Sequence, residues 1–356
     1  MKLGFPEPAS ALMQDIDRLH VANFTVALVL MALVLAIMAF IVLRFRRRPA
    51  READALHHRG RFARWSWLLA PLLILAVDLL LAGRSSALLE RIEDASGAEL
   101  TIKVTGSQWY WTYEYLEDGI KVVSNLLPRE RAGGDYLRLV DNPLVLPVGK
   151  RVRFLHTATD VIHAWWVPQL VVKKDAIPGY INESWTRIER AGTYFGQCSE
   201  NCGTGHSAMP IQVSAVTAVD YRAWVDEQKA AQAKALGAAG RAWGHAELMA
   251  HGEQVYLTYC ARCHMPGGEG NPPFRPALKG SPIASGPVAG HLDRVMNGKA
   301  RTDMRAWKHE LNDLDIAAVV TYERNAWGNA TGDTVQPLTV GKARAGGTGN
   351  DSEAAR

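Results

Sequence analysis

Cys198-Ser-Glu-Asn-Cys202-Gly-Thr-Gly-His206-Ser-Ala-Met209 gathers two thiolates, an imidazole and a thioether within twelve residues. All four side chains are soft or borderline metal ligands: thiolate and thioether select copper, zinc or iron–sulfur, and imidazole suits copper and zinc. The methionine tips the choice to copper, since zinc sites are built from Cys, His and carboxylate. Upstream, Asp160-Val-Ile-His163-Ala-Trp-Trp-Val-Pro168 supplies a second histidine after a strand-like run. A disulfide between Cys198 and Cys202 is the alternative in an exported protein, but it leaves His206, Met209 and His163 unexplained. Further along, Cys260-Ala-Arg-Cys263-His264 carries the C-x-x-C-H signature of covalent haem c attachment. The two motifs consume all four cysteines, and a copper loop beside a haem motif implies electron transfer.

The 356 residues suffice for two domains. The net charge of +4 is modest and much of the basic excess lies between Arg44 and Arg64, which argues against a nucleic-acid surface. Val21 to Leu43 runs without a charge, long enough to span a bilayer. Arg44, Arg46, Arg47, Arg48, Arg51, His57, His58, Arg59, Arg61 and Arg64 follow it. A second apolar run, Trp65 to Gly83, holds Pro71 and one charge, Asp78. The positive-inside rule keeps the arginine-rich loop cytoplasmic and sends both chain ends to the opposite, periplasmic face. A cleaved signal peptide fits less well: Asp15 and Asp17 precede the run and a stop-transfer cluster follows it. Asp78, an ionisable group within a span, is expected to face a partner subunit or the outer interface.

After Gly97 short alternating segments begin. Leu100–Thr105, Tyr136–Val140, Arg151–Leu155, Ser184–Ile188 and Ile211–Val216 all read as strands. Asp118-Gly119, Gly133-Gly134, Pro147-Val-Gly149 and Pro178-Gly179 are turn signals between them. This pattern predicts a Greek-key sandwich or barrel, with His163 and the Cys-to-Met loop converging at one end. An Ala-, Lys- and Gln-rich stretch from Tyr221 to about Gly240 reads as a closing helix and linker. His245 to Trp327 is expected to form a compact helical unit, with one helical stretch over Ala246–Cys263, another over Leu314–Arg324 and a Gly- and Pro-rich loop between them. The small, polar residues from Gly341 onward predict disorder.

Several longer pieces resemble subunit II of the haem–copper cytochrome c oxidases. They are Gly106-Ser-Gln-Trp-Tyr-Trp-Thr-Tyr-Glu-Tyr115, Asp160-Val-Ile-His-Ala-Trp165, Asp175-Ala-Ile-Pro-Gly179, Gly196-Gln-Cys-Ser-Glu200 and Gly205-His-Ser-Ala-Met-Pro210. The resemblance implies a dinuclear CuA centre. Cys198 and Cys202 would bridge two coppers, His163 and His206 would each cap one, Met209 would be a weak ligand, and Glu200 would lend its carbonyl. The Glu200 carboxylate would bind magnesium shared with subunit I, and Trp109 would mark where electrons arrive from cytochrome c. Two departures stand out. Asn201 replaces an aliphatic residue, and Arg64 stands where the family often has a glutamate at a proton channel.

In the haem segment Cys260 and Cys263 would form the thioethers and His264 the proximal ligand. For the distal ligand, Met265 adjoins His264 and cannot reach the other face, and Met296 reads as helix core. Met304 lies on a loop before the last helix and resembles the axial methionine of class I cytochromes c, with Arg305 replacing the usual proline.

The expected architecture is a two-helix transmembrane hairpin, an all-β cupredoxin-like Greek-key barrel and an all-α class I cytochrome c domain. Its segments are 1–20 exported, 21–43 and 65–90 transmembrane, 44–64 a cytoplasmic loop, 97–220 the CuA domain, 221–243 helix and linker, 244–330 the cytochrome c domain and 331–356 a disordered tail. The resemblance implies subunit II of a proton-translocating caa-type cytochrome c oxidase in a bacterial inner membrane. It would pass electrons from a cytochrome c or other donor through haem c and CuA to subunit I, with subunit III also present. Two other readings have the same ligands: a CuA-bearing subunit of a nitric oxide reductase, and a free-standing tethered electron carrier. The chain itself carries no cluster for oxygen chemistry.

Overall fold

The first apolar run forms the middle of a 35-residue helix, α1 (Ala11–Phe45). Ser10 caps it, accepting from Met13 N at 3.2 Å while donating to the Leu170 carbonyl at 2.8 Å. The second run lies in α2 (Arg61–Glu93), where Pro71 removes one intrahelical hydrogen bond. Both helices are long and apolar enough to cross a membrane, and their most apolar windows bury nothing within the chain. The computed structural model describes residues 6–46, 61–299, 302 and 304–346; most of the basic loop and the Arg64 side chain lie outside them.

The strands follow from alternation. In β5 (Arg151–Ala158), Val152, Phe154, His156 and Ala158 face inward while their neighbours face out. β1 (Leu100–Ser107), β2 (Tyr110–Tyr115), β3 (Ile120–Ser124), β5 and β8 (Asn182–Arg187) build one sheet in the order β3-β2-β1-β5-β8. β4 (Leu144–Pro147), β10 (Pro210–Val216) and β9 (Gly192–Gln197) build the second, in the order β4-β10-β9. β6 (His163–Trp165) pairs with β7 (Lys174–Ala176) as a ribbon, and α3 (Arg129–Ala132) is a single turn between sheets. The β1–β5 and β4–β10 pairs are parallel. Parallel neighbours demand crossovers between sheets, and the result is the cupredoxin-like β domain expected from the sequence. Ile102, Val104, Trp111, Tyr113, Phe154, Trp165, Ile211 and Val213 fill its core.

One expected strand is absent. Tyr136–Val140 runs through a turn in which Leu137 takes φ 74°, and Val140 alone bridges to Leu126. A left-handed residue breaks the period of two that its alternating side chains suggested.

The β domain is fastened to both helices. Ala9 N donates to Gln169 O and Glu189 N donates to Ala9 O, at 2.8 and 2.9 Å. Trp185 Nε1 donates to Arg91 O at 3.0 Å, and Arg91 pairs with Asp15 across the helices at 2.6 Å. Leu12, Leu88, Ala95 and Trp185 close an apolar cluster beneath these bonds.

α4 (Ala218–Ala239) leads from the first compact unit, Met1–Ala223, into the second, Trp224–Arg356. The second unit is helical: α5 (His245–Val255), α6 (Ala261–His264), α7 (Val288–Asn297), α8 (Asp313–Asn325) and α9 (Pro337–Gly346). The chain is helical without a break from His245 to His264, as expected over Ala246–Cys263, with a wider helical turn at Tyr256–Cys260 joining α5 to α6. One expectation needs correction. Part of the expected disordered tail is α9, whose Val340 is fully buried and whose Arg344 reaches Asp313 at 2.8 Å and Leu311 O at 3.1 Å. Its few apolar residues and one arginine find partners on α8 and the turn before it, which composition does not reveal. Residues 347–356 lie outside the described part.

α5 crosses α8 at Gly252, where a Cβ would lie 2.1 Å from the Ala318 carbonyl oxygen. Backbone cannot yield as a side chain can, so Gly252→Ala is expected to cost about 1–3 kcal/mol. Thermal unfolding followed by far-ultraviolet circular dichroism would show it. An unchanged midpoint would mean that the helices separate freely.

Candidate metal centre and haem-attachment site

The Cys-to-Met loop joins β9 to β10, and β6 brings in His163 from the other side. Cys198 Sγ lies 3.8 Å from Cys202 Sγ and 3.9 Å from His163 Nδ1. Cys202 Sγ lies 3.5 Å from His206 Nδ1, and the Glu200 carbonyl oxygen is 3.4 Å from Cys198 Sγ. Both cysteines are buried and free, so no disulfide joins them. Met209 is fully buried and its carbonyl accepts from Cys198 N at 3.1 Å, which places it beside the first thiol. His163, Cys198 and Cys202 alone meet the spacing of a three-ligand metal site among the described residues. His206 joins them through Cys202. Two sulfurs flanked by two imidazole Nδ1 atoms make a donor set that suits soft copper, and the residues fit a dinuclear centre.

The surroundings orient these donors. Asp160 Oδ1 accepts from His163 Nε2 at 2.9 Å, leaving Nδ1 to face the thiols. Asp160 is itself held: Oδ1 accepts from Val161 N and Oδ2 from Gln108 N, each at 2.7 Å. Burial would raise its carboxyl, but these three bonds win and keep it below the usual range. Burial also pushes the Cys198 thiol up, yet His163 and the backbone around it bring it down to about 7. Cys202 goes the other way, to about 12, through burial and the neighbouring Cys198. One thiolate thus forms readily while the second is costly without a cation, and a bound cation would offset that cost.

Trp109 is half-buried and its Nε1 donates to the Cys202 carbonyl at 3.0 Å, alongside Gln108 Nε2 at 2.8 Å. Its indole lies where a Gly205 side chain would be, 2.2 Å from an added Cβ. Gly106 is likewise closed by the His163 ring, 2.9 Å from an added Cβ. Sequence reasoning did not assign roles to Asp160, Gln108, Gly106 or Gly205. Their presence inside the quoted motifs was the only signal. Asp160→Asn is expected to lower copper affinity about 10–100-fold, as loss of a carboxylate behind a metal-bound histidine does elsewhere. Titration against a competing chelator would test it, and wild-type affinity would remove Asp160 from the site.

In the second unit, Cys260 is buried, Cys263 half-buried and His264 buried. His264 Nδ1 donates to the Pro276 carbonyl at 2.9 Å, which fixes the ring and leaves Nε2 with its lone pair for a metal. Met304 packs at the edge of the cluster containing Cys260, Leu292, Met296 and Trp307. Met296 is buried core, as its helical position suggested. These features fit a haem held by two thioethers with His264 on one face. Glu200 is half-buried and belongs to no metal-spaced group of three or more ligands among the described residues.

Three family models match the chain: cytochrome c oxidase subunit II transmembrane domain over 1–83, its periplasmic domain over 100–216, and cbb3-type cytochrome c oxidase subunit III over 247–322. A probable cytochrome c oxidase subunit 2 of Rickettsia bellii is 37% identical over 227 residues, 63% of this chain and 83% of that protein. Cytochrome c oxidase subunit 2 of Arabidopsis thaliana is 37% identical over 236 residues, 64% of this chain and 89% of that protein. Among solved structures, the periplasmic domain of subunit II of cytochrome oxidase from Bradyrhizobium japonicum is 41% identical. It covers 38% of this chain and 97% of its own length, with a TM-score of 0.36.

Proposed function

The chain belongs to the cytochrome c oxidase subunit II family with a cytochrome c domain fused behind it, and from this we propose that it carries electrons from an external donor through covalent haem c and a dinuclear CuA centre to the oxygen-reducing subunit I. The convergence of buried His163, Cys198 and Cys202, with half-buried His206 beside Cys202, carries this reading. The bound coppers would supply a one-electron couple shared over two metals.

The protein's own residues do the rest. Cys198 and Cys202 would bridge, His163 and His206 would cap, Met209 would be a weak ligand, and the Glu200 carbonyl would complete the set. Asp160 keeps the His163 ring from rotating, so its Nδ1 stays on the thiols. A site that does not rearrange between redox states transfers electrons with little reorganisation. Trp109, one hydrogen bond from the Cys202 backbone, is the residue we assign to electron arrival. On the haem side Cys260 and Cys263 would hold the porphyrin, and His264 Nε2 and Met304 would be the side chains offered to its iron. Methionine–histidine ligation raises the haem potential. The Glu200 carboxylate would take magnesium at the boundary with subunit I.

The two apolar helices would fix the chain in a bacterial inner membrane with the copper and haem units outside, since the basic segment between the spans favours the cytoplasm. Subunits I and III would be its partners there, and the complex would translocate protons. The test is copper analysis with electron paramagnetic resonance on the haem-loaded full chain in detergent. Two coppers and a spectrum shared over two nuclei are expected; a mononuclear signal would overturn the assignment.

A further inference from the structure

We propose that the Arg305–Glu310 ion pair is a latch that holds the Met304 loop in its iron-ligating position, which makes both residues positioning residues for the haem. The inference rests on Met304 being the distal ligand, as assigned above.

Its starting point is a buried carboxylate with an unusual partner. Glu310 has a side chain only 1% exposed, and Arg305, the residue next to Met304, meets it at 2.9 Å. A carboxylate so deeply buried is stable only when paired. The Arg305 guanidinium also lies over the Trp307 ring, 4.1 Å from its centroid. Trp307 is buried and packs edge-on against Tyr259 at 5.6 Å. Tyr259 directly precedes Cys260. One side chain therefore ties the Met304 loop to a buried anion and, through two rings, to the haem-attachment segment.

The base of the loop is closed by backbone. Lys299 N donates to Met304 O at 2.8 Å, and Gly298, at φ 69°, leaves room for that approach; a Cβ there would lie 2.3 Å from Met304 O. Thr302 Oγ1 accepts from Met304 N at 3.3 Å. These bonds fix where the loop returns, and Arg305, the residue after Met304, is held through its side chain. A proline at this position would restrict it covalently. Here the restriction comes from the side chain, through charge and stacking.

The consequence lies at the sixth iron position. An external ligand that competes with Met304 binds only when the loop lets go, so its apparent affinity measures the open fraction. Ferric full-length chain with haem attached, in detergent, would be titrated with imidazole at the Soret band. Near-infrared magnetic circular dichroism would report methionine–histidine ligation. Arg305→Gln and Glu310→Gln are each expected to bind imidazole about tenfold more tightly than wild type, the shift for an open fraction raised by that factor. Combining Glu310→Gln with Arg305→Pro is expected to restore wild-type affinity, which loss of general stability would not allow.

Wild-type imidazole affinity in both single variants overturns the latch. So does an effect of Arg305→Gln that Glu310→Gln does not share, because Arg305 would then act on another anion such as a haem propionate. If Glu310→Gln fails to attach haem, Arg305→Lys keeps a cation opposite Glu310 but loses the planar stacking. It should bind imidazole about threefold more tightly by the same open-fraction argument, and unchanged affinity overturns the proposal. Met304→Ala separates the two layers. If it retains the methionine signature, the ligand assignment fails and the latch falls with it; if it loses the signature while the Arg305 and Glu310 variants keep wild-type imidazole affinity, the latch alone is overturned.

Discussion

Cys202→Ser is expected to abolish the two-copper resonance and to slow oxidation of the electron donor about a hundredfold or more, because a hard hydroxyl replaces a soft bridging thiolate. Cys202 is the pivot of the arrangement. Its sulfur lies between Cys198 Sγ at 3.8 Å and His206 Nδ1 at 3.5 Å, and its carbonyl receives both Trp109 and Gln108. Serine keeps the carbonyl and its two hydrogen bonds, so the loop should stay folded while the metal set fails. On the proposed assignment, copper content should drop from two per chain while haem bound at the Cys260–His264 segment is unaffected. Recovery of a two-copper spectrum in this variant would refute the bridging assignment.

A second large effect concerns acid. His156 is fully buried on β5, its Nε2 within 2.8 Å of Ser184 Oγ, and burial with nearby Lys174 depresses its pKa to about 3. The unfolded chain titrates at the ordinary value, near 6.5. Between these two values the unfolded state binds a proton that the folded state refuses. Stability is therefore fully present above the unfolded value and falls as pH drops toward the folded one, by about 1.4 kcal/mol per pH unit. Going from about pH 7 to about pH 5 should thus remove about 2 kcal/mol from the β domain. His156→Gln should flatten that slope. Urea unfolding of copper-free wild type and variant, followed by tryptophan fluorescence, would isolate the term. Parallel slopes would show that His156 does not stay neutral inside the fold.

The copper loop was legible because its donors are local in sequence and chemically distinctive. Cys198 to Met209 fits in a few turns of chain, and only His163 must arrive from elsewhere. The membrane helices were legible for a similar reason: a long apolar run declares itself by length. What could not be read are contacts made by ordinary residues across long separations. Ser10 meeting Leu170, Trp109 filling the space at Gly205, and Arg305 reaching Glu310 depend on tertiary geometry that no spacing encodes. Tyr136–Val140 shows the opposite error, an alternation that a left-handed Leu137 overrides. The helix from Pro337 shows a third, where a few contacts from Val340 and Arg344 order a segment of disorder-like composition.

The bonds between Ala9, Ser10 and the β domain also constrain biogenesis. The donors and acceptors involved, Ala9 and Ser10 on one side and Gln169, Leu170 and Glu189 on the other, are separated in sequence by both apolar helices. They can meet only if the chain crosses the bilayer twice and brings its beginning back to the same side as its globular part. The edge of the copper module is therefore completed by residues made before the first helix, and a chain inserted with one crossing leaves Leu170 O and Gln169 O without these partners. Correct threading through the membrane is thus written into the finished β domain as a set of hydrogen bonds.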